Sequence, residues 1–433
     1  MKEELTRKHR YWRNRIFALT WLAYAGFYLC RKNLSVIVPE LKNQGLTDYQ
    51  YADIIFYNGL LYCLGQFFNG LLSDRYGPRL VVGIGLLLAV ISNILMGAYG
   101  NVFLLLLLLN CVNGLGQSTG WSGLVKNMST WFHRRERGVV MAWWSTNYVL
   151  GGFIATSIAT YCVFRLPLFS TLGWRRGFLF PALLLSIVTL GFIGFNRNKP
   201  SDVGFPDLQD DGELGGGEPK ENLTDRKIPW RSFLDILVNV FSRPSVWMIA
   251  FMYFFLKLTR YAFLFWLPLY LMQRWSYRGE AAGYTSSIFE LGGFIGAIAA
   301  GYLSDKVFQA RRFPVGAIFL WGLGLCFLAH PIIANWGHLY NAIGIGLIGF
   351  LTFGPDTLMS GAAAQDEGCQ RGAATAVGFI NGVGSLGQMI SGYVVAYVSN
   401  TYGWDALFHL FVFFALFGGL LLSTKWRYVP KSQ

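Results

Sequence analysis

Apolar runs long enough to cross a bilayer as helices recur along the whole chain, separated by short polar stretches. Their approximate limits are 15–38, 50–72, 80–99, 102–124, 138–163, 177–196, 245–272, 281–303, 313–333, 338–360, 372–398 and 403–424. The pattern predicts an all-α membrane protein with twelve transmembrane helices. Several runs are rich in glycine, as in "GGFIGAIAAG" at 292–301, which suits close helix packing in lipid. The first run is too long for a signal-peptide core and lacks a small-residue cleavage site, so it reads as the first span.

One long polar stretch interrupts the series. Residues 197–244 contain "SDVGFPDLQDDGELGGGEPKENLTDRK", acidic and glycine-rich, which predicts a linker. It divides the chain into six-helix bundles over 1–196 and 245–433. The two halves repeat one another in register. Arg31 precedes Pro39 by eight residues, and Arg260 precedes Pro268 by eight. "GLLSDRYGPR" at 70–79 matches "GYLSDKVFQARR" at 301–312, and "GWRRGFLF" at 173–180 echoes "GWDALFHL" at 403–410. Asp74 lies 100 positions before Trp174, and Asp305 lies 99 before Trp404. Duplicated bundles of this kind place a binding site near the midplane, between the halves.

Composition agrees with the pattern. Only 14% of the 433 residues are charged and 54% are hydrophobic, where a soluble protein carries about a quarter charged residues. The net charge of +13 does not point to nucleic acid, because the basic residues fall mostly between apolar runs. They cluster in the N-terminal tail (Lys2, Arg7, Lys8, Arg10, Arg13) and after span 2 (Arg75, Arg79). Further clusters follow span 4 (Lys126, Arg134, Arg135, Arg137) and span 8 (Lys306, Arg311, Arg312). Arg165, Arg175 and Arg176 on the opposite side are the exception. The bias predicts that both termini are cytoplasmic. Six scattered cysteines without CxxC spacing read as packing residues, and no metal-ligand cluster, cofactor motif or nucleophile–base arrangement points to an enzyme.

A few charges lie inside the spans, where a central Arg or Lys costs about 2.5–3.5 kcal/mol. "FYLCRKNLSVIVP" at 27–39 places Arg31 and Lys32 in span 1, and the repeat places Arg260 and Lys257 at comparable depth in span 7. Tyr24, Tyr28 and Arg31 share one helical face. Glu290 on span 8 and Asp356 on span 10 are candidate counter-ions, Glu290 for Lys32 or Lys257. Four cations against two acids leave about two positive charges, which a bound anion would balance. Two guanidinium forks, Arg31 and Arg260, suit a phosphate group.

The stretches "RYWRNRIFALTWLAYAGFYLCRKN", "GWSGLVKNMSTWFHRRERG", "RYAFLFWLPLYL", "FELGGFIGAIAAGYLSDKVF" and "GFLTFGPDTLM" span nearly the whole chain. With the "GLLSDRYGPR" loop, they resemble the major facilitator superfamily and, within it, the organophosphate:phosphate antiporter family. The resemblance implies a twelve-helix, two-bundle fold that needs no partner subunit, in a bacterial cell membrane, with no cofactor and no metal. It implies exchange of an organic phosphate (a sugar phosphate or glycerol-3-phosphate) for inorganic phosphate. The family's phosphate-binding basic residues match Arg31 and Arg260, its span-1 tyrosines match Tyr24 and Tyr28, and the following Lys is Lys32. The loop charges Asp74, Arg75, Arg79 and, in the second half, Asp305 match a gating latch.

Four departures stand out. Gln66 replaces a span-2 Lys, Asn147 a span-5 His, Phe265 a span-7 Asp, and "GWSGLV" at 120–125 a "GWPPCG" stretch. Lys257 and Asp356 are additions, so the span-2 cation reads as relocated to span 7. Asn147, Asn381 and Gln388 are candidates for contacts with substrate hydroxyls. Two other readings remain: a membrane sugar-phosphate sensor of the same fold, and a proton-coupled organic-anion symporter using Glu290 and Asp356.

Overall fold

The computed structural model describes residues 2–132, 140–141, 143–206, 241–309 and 311–428, and no side chains at 2–6, 67, 71, 74, 362, 365–366 and 368–375. The side chain of Asp74, the basic cluster Arg134, Arg135 and Arg137, and 207–240 of the linker lie outside the described residues. In the first half the long helices are α1 (Lys2–Asn43), α2 (Asp48–Tyr76), α3 (Pro78–Tyr99), α4 (Phe103–Trp131), α5 (Thr146–Phe164) and α6 (Arg176–Phe195). In the second they are α7 (Pro244–Trp275), α8 (Gly279–Tyr302), α9 (Arg312–Ala334), α10 (His338–Thr357), α11 (Ala364–Tyr402) and α12 (Trp404–Ser423).

These twelve correspond to the twelve apolar runs, but several are longer. The 42 residues of α1 extend about 60 Å, roughly twice the hydrocarbon thickness. Polar residues at the helix ends continue the backbone hydrogen-bond ladder into the headgroup region, where hydropathy no longer reports it. Among the described residues, nine of the helices are apolar enough on average to be recognised by hydropathy alone. The remaining long helices, α1, α2 and α11, are more polar over their lengths.

Local chemistry fixes the helix ends. Thr47 caps α2 with a reciprocal Thr47–Gln50 capping box, and Lys42 reaches Asp48 at 2.6 Å across the α1–α2 turn. Gly77 and Gly403 sit at φ of 83° and 84° in the tight α2–α3 and α11–α12 turns, a backbone conformation side chains rarely adopt. Arg176 of the "GWRRG" stretch donates to the carbonyls of Val163 and Leu166 and so caps the end of α5. In the second half Ala406 stands at the position of Arg176, and the preceding Asp405, at the position of Arg175, pairs with Arg274 at 3.0 Å.

The halves meet through α1 on α7, α2 on α11 and α5 on α8. An even number of spans puts both termini at one end. Polar links between the halves are found at the middle of the molecule and at the opposite, far end. Tyr51 donates to the Phe265 carbonyl at 2.9 Å, Tyr393 to Asp53 at 2.6 Å, and Arg165 to Glu280 at 2.5 Å. One buried apolar cluster stays within the first half, around Phe27, Trp131 and Trp144. The other fills the second half and continues into Val36, Ile54 and Val163 of the first. The described halves are thus closed together at the far end and joined there by core packing.

Candidate functional site

The site grows from a helix irregularity at Pro268 of α7. Proline has no N–H, so Pro268 leaves the carbonyl of Leu264, four residues earlier in α7, without its helical partner. Lys32 of α1 takes that position, donating to Leu264 O at 2.6 Å. The same ammonium lies 2.7 Å from Glu290 of α8. Glu290 is 1% exposed, and its Cγ presses on Gly152 of α5. One buried cation therefore ties α1 to α7 and α8. Neutralising both charges within one pair is what makes Lys32 tolerable at 2% exposure. Glu290 pairs with Lys32, not with Lys257.

Arg31, the neighbour of Lys32, points elsewhere. Its Nε donates to Gln117 Oε1 of α4. Gln117 in turn donates to Asn113 Oδ1 at 3.0 Å and to the Cys30 carbonyl at 3.2 Å, and Asn113 donates to the same carbonyl at 2.7 Å. The guanidinium lies over the rings of Tyr28 (5.1 Å) and Tyr62 (4.8 Å), and Gln66 donates to the Tyr62 hydroxyl at 3.0 Å. Arg31 has no carboxylate partner among the described residues. Tyr24 packs against Tyr28, Trp121 and Trp144 and backs this wall.

In the second half the cations divide differently from the sequence expectation of two matching free arginines. Arg260 donates through Nη1 to Asp356 Oδ2 of α10 at 2.7 Å, with Phe353 beneath its guanidinium at 4.3 Å. Tyr148 of α5 stacks on Phe353, ring centres 6.5 Å apart, and brings the first half against the same group. The cation left without a carboxylate among the described residues is Lys257. Its Nζ reaches only the Ser385 hydroxyl of α11, at 3.3 Å, and lies 5.3 Å from the Tyr253 ring. Among the described residues, the two central cations without a carboxylate at ion-pair distance are Arg31 and Lys257 rather than the two arginines.

These groups form one electrostatic cluster. The charges of Arg31 and Arg260 both act on Tyr28 and Tyr261, that of Arg260 acts on Lys32, and those of Asp356 and, less, Arg260 act on Lys257. Asn147 is fully buried, with neither side-chain atom hydrogen-bonded. Asn381 is half-buried and bonds back to Val377 O at 3.0 Å, and Gln388 is half-buried on the same helix.

The loop charges lie apart from this cluster. Arg79 donates from its backbone to Asn198 at 2.8 Å and from Nε to Ile193 O at 2.7 Å, joining α3 to the end of α6. Arg75 is exposed beside Tyr76. Asp305, in the π-helical turn Leu303–Val307, pairs with Arg312. Gln117, Tyr62, Tyr148, Phe353 and Ser385 were not expected at the site. Their signal was present only as uncharged polar or aromatic residues in glycine-rich or apolar runs, which equally reads as packing.

The profile of the Major Facilitator Superfamily matches residues 20–368. The chain belongs to that superfamily. It is 28% identical over 98% of its length to a probable hexose phosphate transport protein of Chlamydia trachomatis, covering 93% of that protein. It is 27% identical to the glycerol-3-phosphate transporter of Bacillus subtilis, over 96% of this chain and 92% of that one. It is 29% identical to the membrane sensor protein UhpC of Escherichia coli, over 97% and 94%. These relatives are those of the organophosphate:phosphate antiporter family that the motifs resemble. Among solved structures, a bacterial homologue of the lysosomal transporter Spinster, crystallised inward-facing and unoccupied, superposes with a TM-score of 0.72 over 97% of this chain and 99% of that one. At 14% identity that likeness concerns the fold alone. The superfamily chain is a multi-pass membrane protein built as a transporter, not an enzyme.

Proposed function

We propose that this chain carries a phosphate monoester of the sugar-phosphate or glycerol-3-phosphate class across a cell membrane in exchange for inorganic phosphate. The observation that carries the reading is the pair of cations, Arg31 and Lys257, held between the halves without a carboxylate partner among the described residues. Arg31 offers a guanidinium fork for two phosphate oxygens, Lys257 adds a point charge from the other half, and Arg260 lies beside them. Tyr24, Tyr28, Gln66, Asn147 and Asn381 line the remaining space in this reading, and Lys32–Glu290 holds the helices. The relatives' names supply the substrate class.

Exchange follows from charge. Closing an empty site would desolvate two unpaired cations, and a phosphate dianion offsets both. Rocking of the bundles about the site is then favoured when it is loaded. The loop bias favours cytoplasmic termini, so the far-end closure corresponds to an inward-facing carrier in the bacterial cell membrane. A single chain contains the whole site, and a monomer suffices. The similarity to UhpC favours one alternative, a sensor that binds the same ligand with little flux.

Vesicles containing the purified chain separate these readings. Uptake of labelled glycerol-3-phosphate or glucose-6-phosphate is expected from vesicles loaded with phosphate and not from phosphate-free ones. Equal uptake in both would contradict exchange. Ligand binding with no uptake under either condition would favour the sensor.

A further inference from the structure

The repeat sets two arginines at matching loop positions, and they are used differently. Arg312, in the second half, turns back on its own loop and pairs with Asp305 and with Ser304, the latter at 2.9 Å. Arg79, in the first half, reaches across to α6. Its Nε donates to the Ile193 carbonyl at 2.7 Å, and no carboxylate among the described residues pairs with it. That bond fixes the guanidinium at the head of a groove of about 350 Å³ between α3 and α6.

The groove is apolar below its head. Leu80, Ile84 and Leu87 form one wall and Ile193 the other. Gly83 lies between them, where a Cβ would stand 3.0 Å from Ile193 Cγ1. The three residues of the α3 wall recur at i, i+4 and i+7 and are 41–54% exposed, so this face of α3 looks outward to lipid. From Arg79 to Leu87 the groove follows about 12 Å of helix, at 1.5 Å per residue. At the head, Asn198 Oδ1 accepts from the Arg79 backbone N–H at 2.8 Å. Arg79 is the second residue of α3, so the positive end of that helix adds to its charge. None of the residues lining the groove is acidic. Asp202, four residues beyond Asn198, is occupied by the backbone N–H groups of Asn198 and Lys199.

An apolar slot headed by a fixed cation complements an amphiphile with an anionic head and an alkyl chain. The slot opens toward the hydrocarbon, and its head lies at the loop level on the side of the termini, where phospholipid phosphates lie. A phosphodiester can accept from the two Nη groups that the Ile193 contact leaves over. A zwitterionic headgroup also brings an ammonium, for which the groove has no acid, whereas a glycerol headgroup brings none. Free phosphate would use the head and leave the slot without a role.

We infer that the α3–α6 groove is a site for one anionic phospholipid, its phosphate on Arg79 and one acyl chain along Leu80, Ile84 and Leu87. Bound there, the lipid ties α3 to α6 within the first bundle. Arg79 lies outside the central cluster, so this site stands or falls separately from the phosphate-carrier reading.

The test is native mass spectrometry of the purified full-length chain. Phosphatidylglycerol and phosphatidylcholine with the same chains are titrated singly and in competition, with inorganic phosphate as the third ligand. For the first lipid bound, the wild type is expected to prefer phosphatidylglycerol by about fivefold or more, the factor that one basic residue contributes toward an anionic lipid. Millimolar phosphate is expected not to displace it. Arg79→Gln is expected to lose most of the preference, and Arg79→Lys to keep most of it. Equal retention of the two lipids by the wild type, or an undiminished preference in Arg79→Gln, would overturn the inference. Displacement by phosphate would overturn it too and assign Arg79 to the free ion. A phosphatidylglycerol with a photoreactive acyl chain gives a readout that needs no variant. Its crosslinks to the wild type are expected within 80–87 and at Ile193, and crosslinks confined to other helices would contradict the site.

Discussion

Lys32 shows how one residue is kept charged inside a membrane-spanning helix. It has both a proline-freed carbonyl and a buried carboxylate within 2.7 Å. Removing one partner of such a pair leaves an uncompensated buried charge, which costs about 3–5 kcal/mol. Glu290→Ala is therefore expected to lower the thermal unfolding midpoint sharply. Glu290→Leu combined with Lys32→Met should recover much of the loss. Equal midpoints for wild type and Glu290→Ala in detergent would contradict the pairing. Charged residues in apolar runs are conspicuous, so Arg31, Lys32, Lys257, Arg260, Glu290 and Asp356 were legible from the sequence. Their partners were not. Asp356 and Arg260 are 96 positions apart, and nothing local couples them. Gln117 and Tyr62 carry no charge, so burial in a helix interface explains them equally well until Arg31 is seen against both.

At the scale of elements, close approach decides which surfaces meet. A Cβ on Gly283 of α8 would stand 2.1 Å from Thr160 Oγ1 of α5. One on Gly392 of α11 would stand 3.0 Å from the Ala52 backbone of α2. These two glycines let the far ends of the bundles seal. Gly283→Val is expected to wedge α5 from α8 and populate the far-open state. In a cysteine-less background, Ser287→Cys on α8 is buried behind this contact. Its labelling by a membrane-impermeant thiol reagent from the far side should rise severalfold in Gly283→Val. Unchanged labelling would show that the contact does not gate access. The existence and order of the twelve helices were legible from hydropathy and the half-to-half repeat. Their lengths were not, because α1 and α11 run on as helices where the sequence turns polar. Pro39 and Pro268 lie at matching places, yet only the three-dimensional arrangement shows that the carbonyl freed by Pro268 serves a lysine of the other half.

At the scale of the whole molecule, the two bundles hold complementary parts of the proposed anion seat. Neither half is sufficient: the first supplies Arg31 with Gln117, Tyr28 and Tyr62, and the second supplies Lys257 with Ser385 and the Arg260–Asp356 pair. That the charged cluster lies between the halves was legible from the duplication. The state of closure was not, because one sequence must stabilise both ends of the transport cycle, and polar links such as Tyr393–Asp53 belong to only one of them. A ligand that binds the native chain raises its stability by mass action, by about 2.7 kcal/mol at a hundred times the dissociation constant. The most direct measurement is therefore the unfolding midpoint of the purified chain with and without saturating glycerol-3-phosphate, in the wild type and in Arg31→Lys, which keeps the charge but loses the planar fork. The expected result is a clear rise in the wild type that glycerol alone does not produce and that Arg31→Lys loses; no rise in the wild type, or an equal rise in the variant, would contradict a phosphate held by Arg31 between the two halves.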